Sequence, residues 1–205
     1  MSELEIRTAA HTVELREGGK GIGQLTGYAA VFNRSSQNLG GFVEEVDPGA
    51  FTQTLRDGGN VMARGNHDDA HLLGTTGAGT LVLEVDEIGL RYTVDLPDTS
   101  AGRDFKVLAE RGDVRFSSFA FRSIKDDWSQ TEQGFPLRTL RSVQLVDVAP
   151  VNSPAYLDTS VGLRSLADHQ TTEVPAPVEE EPEEPRATHS QVALRALLLE
   201  LDALK

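Results

Sequence analysis

The sequence predicts a mainly β (α+β) fold, a closed or nearly closed β-barrel with short helices packed outside it. Three observations lead there. About eight runs of alternating or β-branched residues are separated by Gly, Pro, Asn and Asp. Two or three short stretches carry helix signals, with a capping residue at the start and glycine at the end. No internal repeat points to a solenoid or a propeller.

Taken in order, residues 4–16 (LEIRTAAHTVELR) alternate as a strand, and the glycine-rich EGGKGIG that follows is a turn. Gln24 to Phe32 is a second strand, whose interior Gly27 predicts a bulge or a close backbone approach. A loop, NRSSQNLGG, leads to the short strand FVEEV. Asp47 and Pro48 then open a helix as cap and first helical residue, with Phe51, Leu55 and, at the margin of that face, Thr54 toward the core and Asp57-Gly58-Gly59 as its end. Asn60 to Arg64 reads as strand. Residues 79–85 and 89–95 form a hairpin across Asp86-Glu87-Ile88. Thr99 caps a helix through Arg111 with Phe105, Leu108 and Ala109 as its apolar stripe, and Gly112 stops it.

Next comes the stretch around which the chain is organised, Arg111 to Arg122, RGDVRFSSFAFR. It turns at Gly112-Asp113 and becomes a strand with two adjacent serines among phenylalanines. A polar, exposed connection through Gly134 follows, then a long strand from Leu137 to Val148, then a turn in VAPVNSPAY. The composition changes near residue 167. Residues 168–188 hold four prolines and the run VEEEPEEP, which predicts a disordered acidic linker. Residues 168–205 carry nine acids and three bases, or −6, leaving −7 of the chain's −13 for residues 1–167. In 189–205, Ser190 can cap a helix with Leu194, Leu197, Leu201 and Leu204 at 3-4-3 spacing. So short a stripe is marginal alone. It is either a frayed terminal helix or one that docks on a partner.

The bulk numbers exclude several classes. A net charge of −13 argues against nucleic-acid binding. With no cysteine there are no disulfides and no thiolate metal sites. The N-terminus lacks a basic region followed by an apolar run, and no window nears the ~18 apolar residues of a membrane span, so the chain reads as soluble.

Two constellations could carry chemistry. In Arg64-Gly65-Asn66-His67-Asp68-Asp69, His67 is a candidate general base, although a lone histidine is more often structural or merely exposed. With His71, Asp68 and Asp69 it also permits a metal reading, but the segment lacks the helical frame of an HExxH site and the ligand set is incomplete. The serine pair is the second. A serine nucleophile needs a base within reach and a third group to orient the base. Asp147, flanked by Val146 and Val148, could be that group, or it could simply pair with Arg138 or Arg141. The tripeptide Arg111-Gly112-Asp113 is read as helix end and turn.

The ordered motifs GYAAVFN (27–33), EEVDPGAF (44–51), GNHD (65–68), LLGTT (72–76), GTLVLEVDEIGL (79–90), RGDVRFSSFAF (111–121) and LVDVAPVNSPAY (145–156) resemble the tailed-bacteriophage prohead serine proteases. Those capsid-maturation enzymes are related to the herpesvirus assemblin proteases. The resemblance spans about residues 20 to 160 and implies a domain at 1–167 of that fold. The family pairs a histidine in an Asn-His-Asp context with a serine in a Met-Ser-Phe-Gly-Phe context, which places the base at His67 and the nucleophile at Ser118. Here Ser117 stands in place of the methionine and Ala120 in place of the glycine. Ser117 is thus a rival on paper, but alternation turns it away from the face of Ser118. The third member maps onto Asp147 in the family's Leu-x-Glu/Asp-Val motif. The herpesvirus relatives use a second histidine instead, for which His71 is the weaker candidate.

The resemblance therefore implies a serine endopeptidase without cofactor or metal. It would act inside the prohead in the host cytoplasm, removing the scaffolding segment of the major capsid protein and cleaving itself. A homo-oligomer is compatible with this, and no membrane or direct nucleic-acid partner is expected. The alternatives are a non-catalytic scaffold that binds coat subunits and, more remotely, a metal hydrolase.

Overall fold

The strands among the described residues divide between two sheets. The computed structural model describes residues 3–153 and 166–167, apart from the side chains of residues 10 and 11, and these belong to one unit, Met1–Gln170. The linker and C-terminal helix expected at 168–188 and 189–205 lie outside the described residues. Among the described residues there are ten strands, two α-helices and two 3-10 turns. The strands are β1 (Glu5–Thr12), β2 (Glu14–Arg16), β3 (Gln24–Val31), β4 (Val43–Val46), β5 (Met62–Arg64), β6 (Leu72–Thr75), β7 (Leu81–Val85), β8 (Gly89–Asp95), β9 (Phe116–Gln130) and β10 (Pro136–Val151). The helices are α1 (Thr52–Asp57) and α2 (Ser100–Glu110).

One sheet runs β1-β9-β10-β5-β6, with β4 also on β10, and the other runs β2-β3-β8-β7. The fold is mainly β, but no closed barrel is found among the described residues. The expected single strand 4–16 is two strands in different sheets. The β1–β9 register breaks between Ala9 and Thr12, and the chain then crosses to pair β2 with β3. A backbone bridge between Phe32, just after β3, and Val46 of β4 links the two sheets, and the apolar core packs between them. Leu25, Leu90, Tyr92 and Val94 from one sheet cluster with Phe119, Phe121, Leu140 and Val148 from the other. Phe51 meets Phe119 edge-on at 5.6 Å, and Phe119 stacks on Phe121 at 5.0 Å.

The long strand β10 is the frame on which the site is built. One edge pairs with β9 over almost its full length. The other pairs in parallel with β4 at Leu137–Leu140 and with β5 at Asp147–Val148. Between these two ladders the backbone groups of β10 would be orphaned, which is costly in a buried strand. The start of α1 supplies partners. Val143 N–H donates to the Ala50 carbonyl, the Thr54 hydroxyl donates to the Val143 carbonyl, and Leu145 N–H donates to Thr54 Oγ1. Thr54 thus serves the sheet rather than the apolar core.

Three further expectations are corrected. Helix α1 starts at Thr52, not at Asp47, because Asp47 Oδ1 accepts from Gly49 N–H and holds a turn there. The segment read as an exposed connection through Gly134 is strand as far as Gln130, and its polar residues lie in register with β10. Its Trp128 packs on Phe42 at 5.2 Å. At the other end, residues 149–151 stay in β10 with Pro150 opposite Ser117, so the turn comes later than VAP. Helix α2 forms as expected, with Thr99 Oγ1 accepting from Gly102 N–H and Gly112 at φ 77° behind it.

Candidate active site

Register on β9 and β10 decides which side chains share a face. Ser118 lies opposite Ala149, and Ala120 lies opposite Asp147. Directly opposed residues point to the same side, and residues two apart along a strand share a face. Ser118 and Asp147 are therefore on one face, diagonal to each other across two strands. Ser117 points the other way. Its oxygen sits 3.2 Å from the Tyr92 hydroxyl, in the buried core, and a side chain at Gly27 would approach it to 2.4 Å. Gly27 is thus both a close backbone approach and next to the register shift between Tyr28 and Ala30. The same burial raises the Tyr92 pKa.

The diagonal gap between Ser118 and Asp147 is filled by His67. It comes from the 3-10 turn Gly65–His67 directly after β5, the strand that lies beside Asp147. His67 Nδ1 is 2.6 Å from Asp147 Oδ1, and Nε2 is 2.7 Å from Ser118 Oγ. An ionised carboxylate can only accept, so Nδ1 carries the proton and donates it to Asp147. In neutral imidazole that leaves the Nε2 lone pair facing the serine hydroxyl. Ser118 Oγ also lies 2.8 Å from the Arg7 carbonyl of β1. The single hydroxyl proton thus has two acceptors. With imidazolium, Nε2 donates to Oγ and the hydroxyl turns to Arg7.

The histidine turn is held by the residues around it. Asn66 and His67 have positive φ, 54° and 58°, a conformation that side chains rarely adopt and that costs on the order of 1–3 kcal/mol per residue. Contacts on each side hold it. Asn66 Oδ1 accepts from the Asn152 amide at 3.1 Å, tying the turn to the end of β10. Asp68 N–H donates to the Gly65 carbonyl, and Asp68 Oδ1 accepts from Ala70 N–H. Beneath the turn, a Cβ at Gly65 would lie 2.0 Å from the Phe105 ring of α2.

The sequence-predicted residues separate cleanly. His67, Ser118 and Asp147 converge, with Asp147 buried at 2% exposure and His67 at 11%. His71 does not join them; it tilts over Phe105 at 5.8 Å and lies 3.6 Å from Asp68. Arg138 and Arg141 are not the partners of Asp147. Arg138 pairs with Glu5, Glu44 and Asp126, and Arg141 with Asp47 and Asp127. The cation beside Asp147 is Arg64, with Nη1 2.9 Å from Oδ2. Sequence reading left Arg64 as an ordinary strand residue. Register is what marks it: it stands two residues beyond Met62, which lies opposite Asp147, and so on the same face.

A buried ionic cluster borders this site. Arg7 of β1 and Arg138 of β10 share the carboxylates of Glu5 and Glu44. Burial raises the Glu44 pKa, against the pull of Arg7 and Arg138.

The sequence profile described as caudovirus prohead serine protease matches residues 9–173. The chain belongs to that family. Family membership makes it a serine protease of phage capsid maturation, in agreement with a face that carries serine, histidine and carboxylate in hydrogen-bonded order. Among solved structures, the bacteriophage T4 capsid assembly protease, gp21, is similar in fold, with a TM-score of 0.52 at 10% identity. The match covers 73% of this chain and 97% of that one. Curated protein sequences gave no match. No helix among the described residues is long and apolar enough to cross a membrane.

Proposed function

We propose that this chain is an endopeptidase acting by acyl transfer through Ser118, His67 and Asp147. One observation carries the reading: two hydrogen bonds of 2.6 and 2.7 Å link carboxylate, imidazole and hydroxyl in the order that nucleophilic catalysis requires. Neutral His67 takes the Ser118 proton at Nε2 while Oγ attacks a peptide carbonyl. Asp147 fixes the tautomer and favours the imidazolium that forms. His67 then gives the proton to the leaving amine, and water, activated by the same nitrogen, frees the acyl group. Backbone amides are the expected donors to the oxyanion.

The substrate we assign is the scaffolding segment of the major capsid protein, together with the enzyme's own chain, inside the prohead in the host cytoplasm. Residues 1–167 would form the protease domain. Residues 168–188 and 189–205 would serve as linker and docking helix, a tether for packaging the enzyme. Coexpression with the cognate major capsid protein followed by mass spectrometry tests this. Wild type should give shortened coat protein, and Ser118→Ala should give full-length coat. Normal coat processing by Ser118→Ala would refute the assignment. Coat left uncut by the wild type, while the two proteins assemble together, would favour a scaffold role instead.

A further inference from the structure

We propose that Arg64 is a positioning residue of this site, the group that fixes Asp147 and sets the charge felt by His67. The inference rests on the protease reading for its kinetic consequences but not for its geometry. Asp147 is nearly fully buried and has two oxygens to satisfy. Oδ1 accepts from His67, and Oδ2 accepts from Arg64 Nη1 at 2.9 Å. A buried carboxylate with one unpaired oxygen is costly and free to rotate about χ2. With both oxygens held, its plane is set, and Oδ1 must face the imidazole.

Arg64 is itself held from the far side. Its Nη2 lies 2.7 Å from Asp69 Oδ1 and 2.9 Å from Met62 Sδ. Asp69 opens the second 3-10 turn, Asp69–His71, just beyond the histidine. The guanidinium therefore bridges both flanks of the His67 turn as well as β10, a task that suits a planar fork of donors and not a point charge. The charged and titratable groups around the site are few. His67 and Arg64 face Asp147. Asp147 and Asp69 face Arg64. Asp68 is turned to Ala70 and His71, and Arg7 is committed to Glu5 and Glu44.

The electrostatic sign follows from this arrangement. Arg64 offsets part of the negative charge of Asp147, which otherwise favours imidazolium. Removing it should keep His67 protonated to higher pH, so that the acidic limb of kcat/KM moves up. Neutralising Asp69 takes a negative charge from beside Arg64 and should move the limb the other way. Asp69 is 85% exposed, so Asp69→Asn leaves the fold intact and keeps the test usable if Arg64→Met does not fold.

The experiment uses the full chain. In Arg64→Met, kcat should fall on the order of 10²-fold with KM within about twofold, as expected of a misplaced catalytic group. Arg64→Lys should return the limb toward its original pH while recovering only part of kcat. Independently of turnover, ring ¹⁵N titration of His67 in the Ser118→Ala chain should move to higher pH when Arg64→Met is added and to lower pH with Asp69→Asn. An unchanged His67 titration in both variants would overturn the proposal. If the titrations shift as stated while the wild type hydrolyses nothing, Arg64 keeps its role beside Asp147 and the protease reading is what fails.

Discussion

Gly65 precedes the histidine turn, and a methyl group added there would lie 2.0, 2.2 and 2.7 Å from three ring carbons of Phe105. The backbone at Gly65 does not have positive φ, so alanine can adopt it and the whole cost of Gly65→Ala comes from the collision. Phe105 cannot step aside freely, because it is buried in the core on the rigid helix α2. Overpacking of this kind costs about 1–3 kcal/mol. From a total stability on the order of 5–15 kcal/mol that leaves the chain folded. Catalysis should suffer more. The turn would be pushed off Phe105, and a displacement of about 1 Å at His67 is worth roughly 10² in rate. Unfolding by urea in the Ser118→Ala background gives the first quantity, and peptide hydrolysis in the background that keeps Ser118 gives the second. Phe105→Ala alone should cost about 3–5 kcal/mol through its cavity. The double variant should cost less than the sum by at least about 1 kcal/mol, because the added methyl then occupies vacated space. Full activity in Gly65→Ala, or additivity within about 0.5 kcal/mol, would refute the claim that this contact sets the turn.

Other expectations concern the neighbours of the site. Ser117→Ala should leave peptide hydrolysis within about twofold and cost about 1–3 kcal/mol of stability, since Tyr92 loses its buried partner; loss of hydrolysis would mean that the two serines are misassigned. Arg138→Met should cost on the order of 3–5 kcal/mol in thermal or urea unfolding, because buried Glu5 and Glu44 then share only Arg7. A near-neutral effect would show that the cluster is solvated. Because burial raises the folded-state pKa of Glu44, the folded chain binds its proton more readily than the unfolded one. Wild type should therefore gain stability relative to Glu44→Gln as pH falls from 7 toward about 4.3, the unperturbed glutamate value. A gain in the opposite direction would mean that Arg7 and Arg138 outweigh burial.

Much of the site was legible because its parts are local signals. Asn66-His67-Asp68 and Ser118-Phe119-Ala120-Phe121 stand in recognisable contexts, and alternation alone turns Ser117 from Ser118. Thr99 and Gly112 mark the ends of α2 by cap and left-handed stop. What escaped is what register decides. Arg138 and Arg141 are nearer to Asp147 in sequence than Arg64, yet Arg64 is the partner because β5 lies parallel beside β10. The polar half of β9 reads as loop because its apolar contact, Trp128 on Phe42, is a single side chain. No closed barrel is found among the described residues: one alternating run is divided between two sheets at the break between Ala9 and Thr12, and at the far ends β6 and β7 belong to different sheets.

The central claim is that Ser118 is the nucleophile and that His67 and Asp147 activate it. A fluorophosphonate probe forms a covalent bond with an activated serine oxygen and releases fluoride, so peptide mapping by mass spectrometry after labelling of the full chain tests that claim most directly. One adduct is expected, on Ser118, strongly reduced in Asp147→Asn and absent in His67→Ala. An adduct on Ser117, or labelling of Ser118 that persists undiminished without His67, would contradict it.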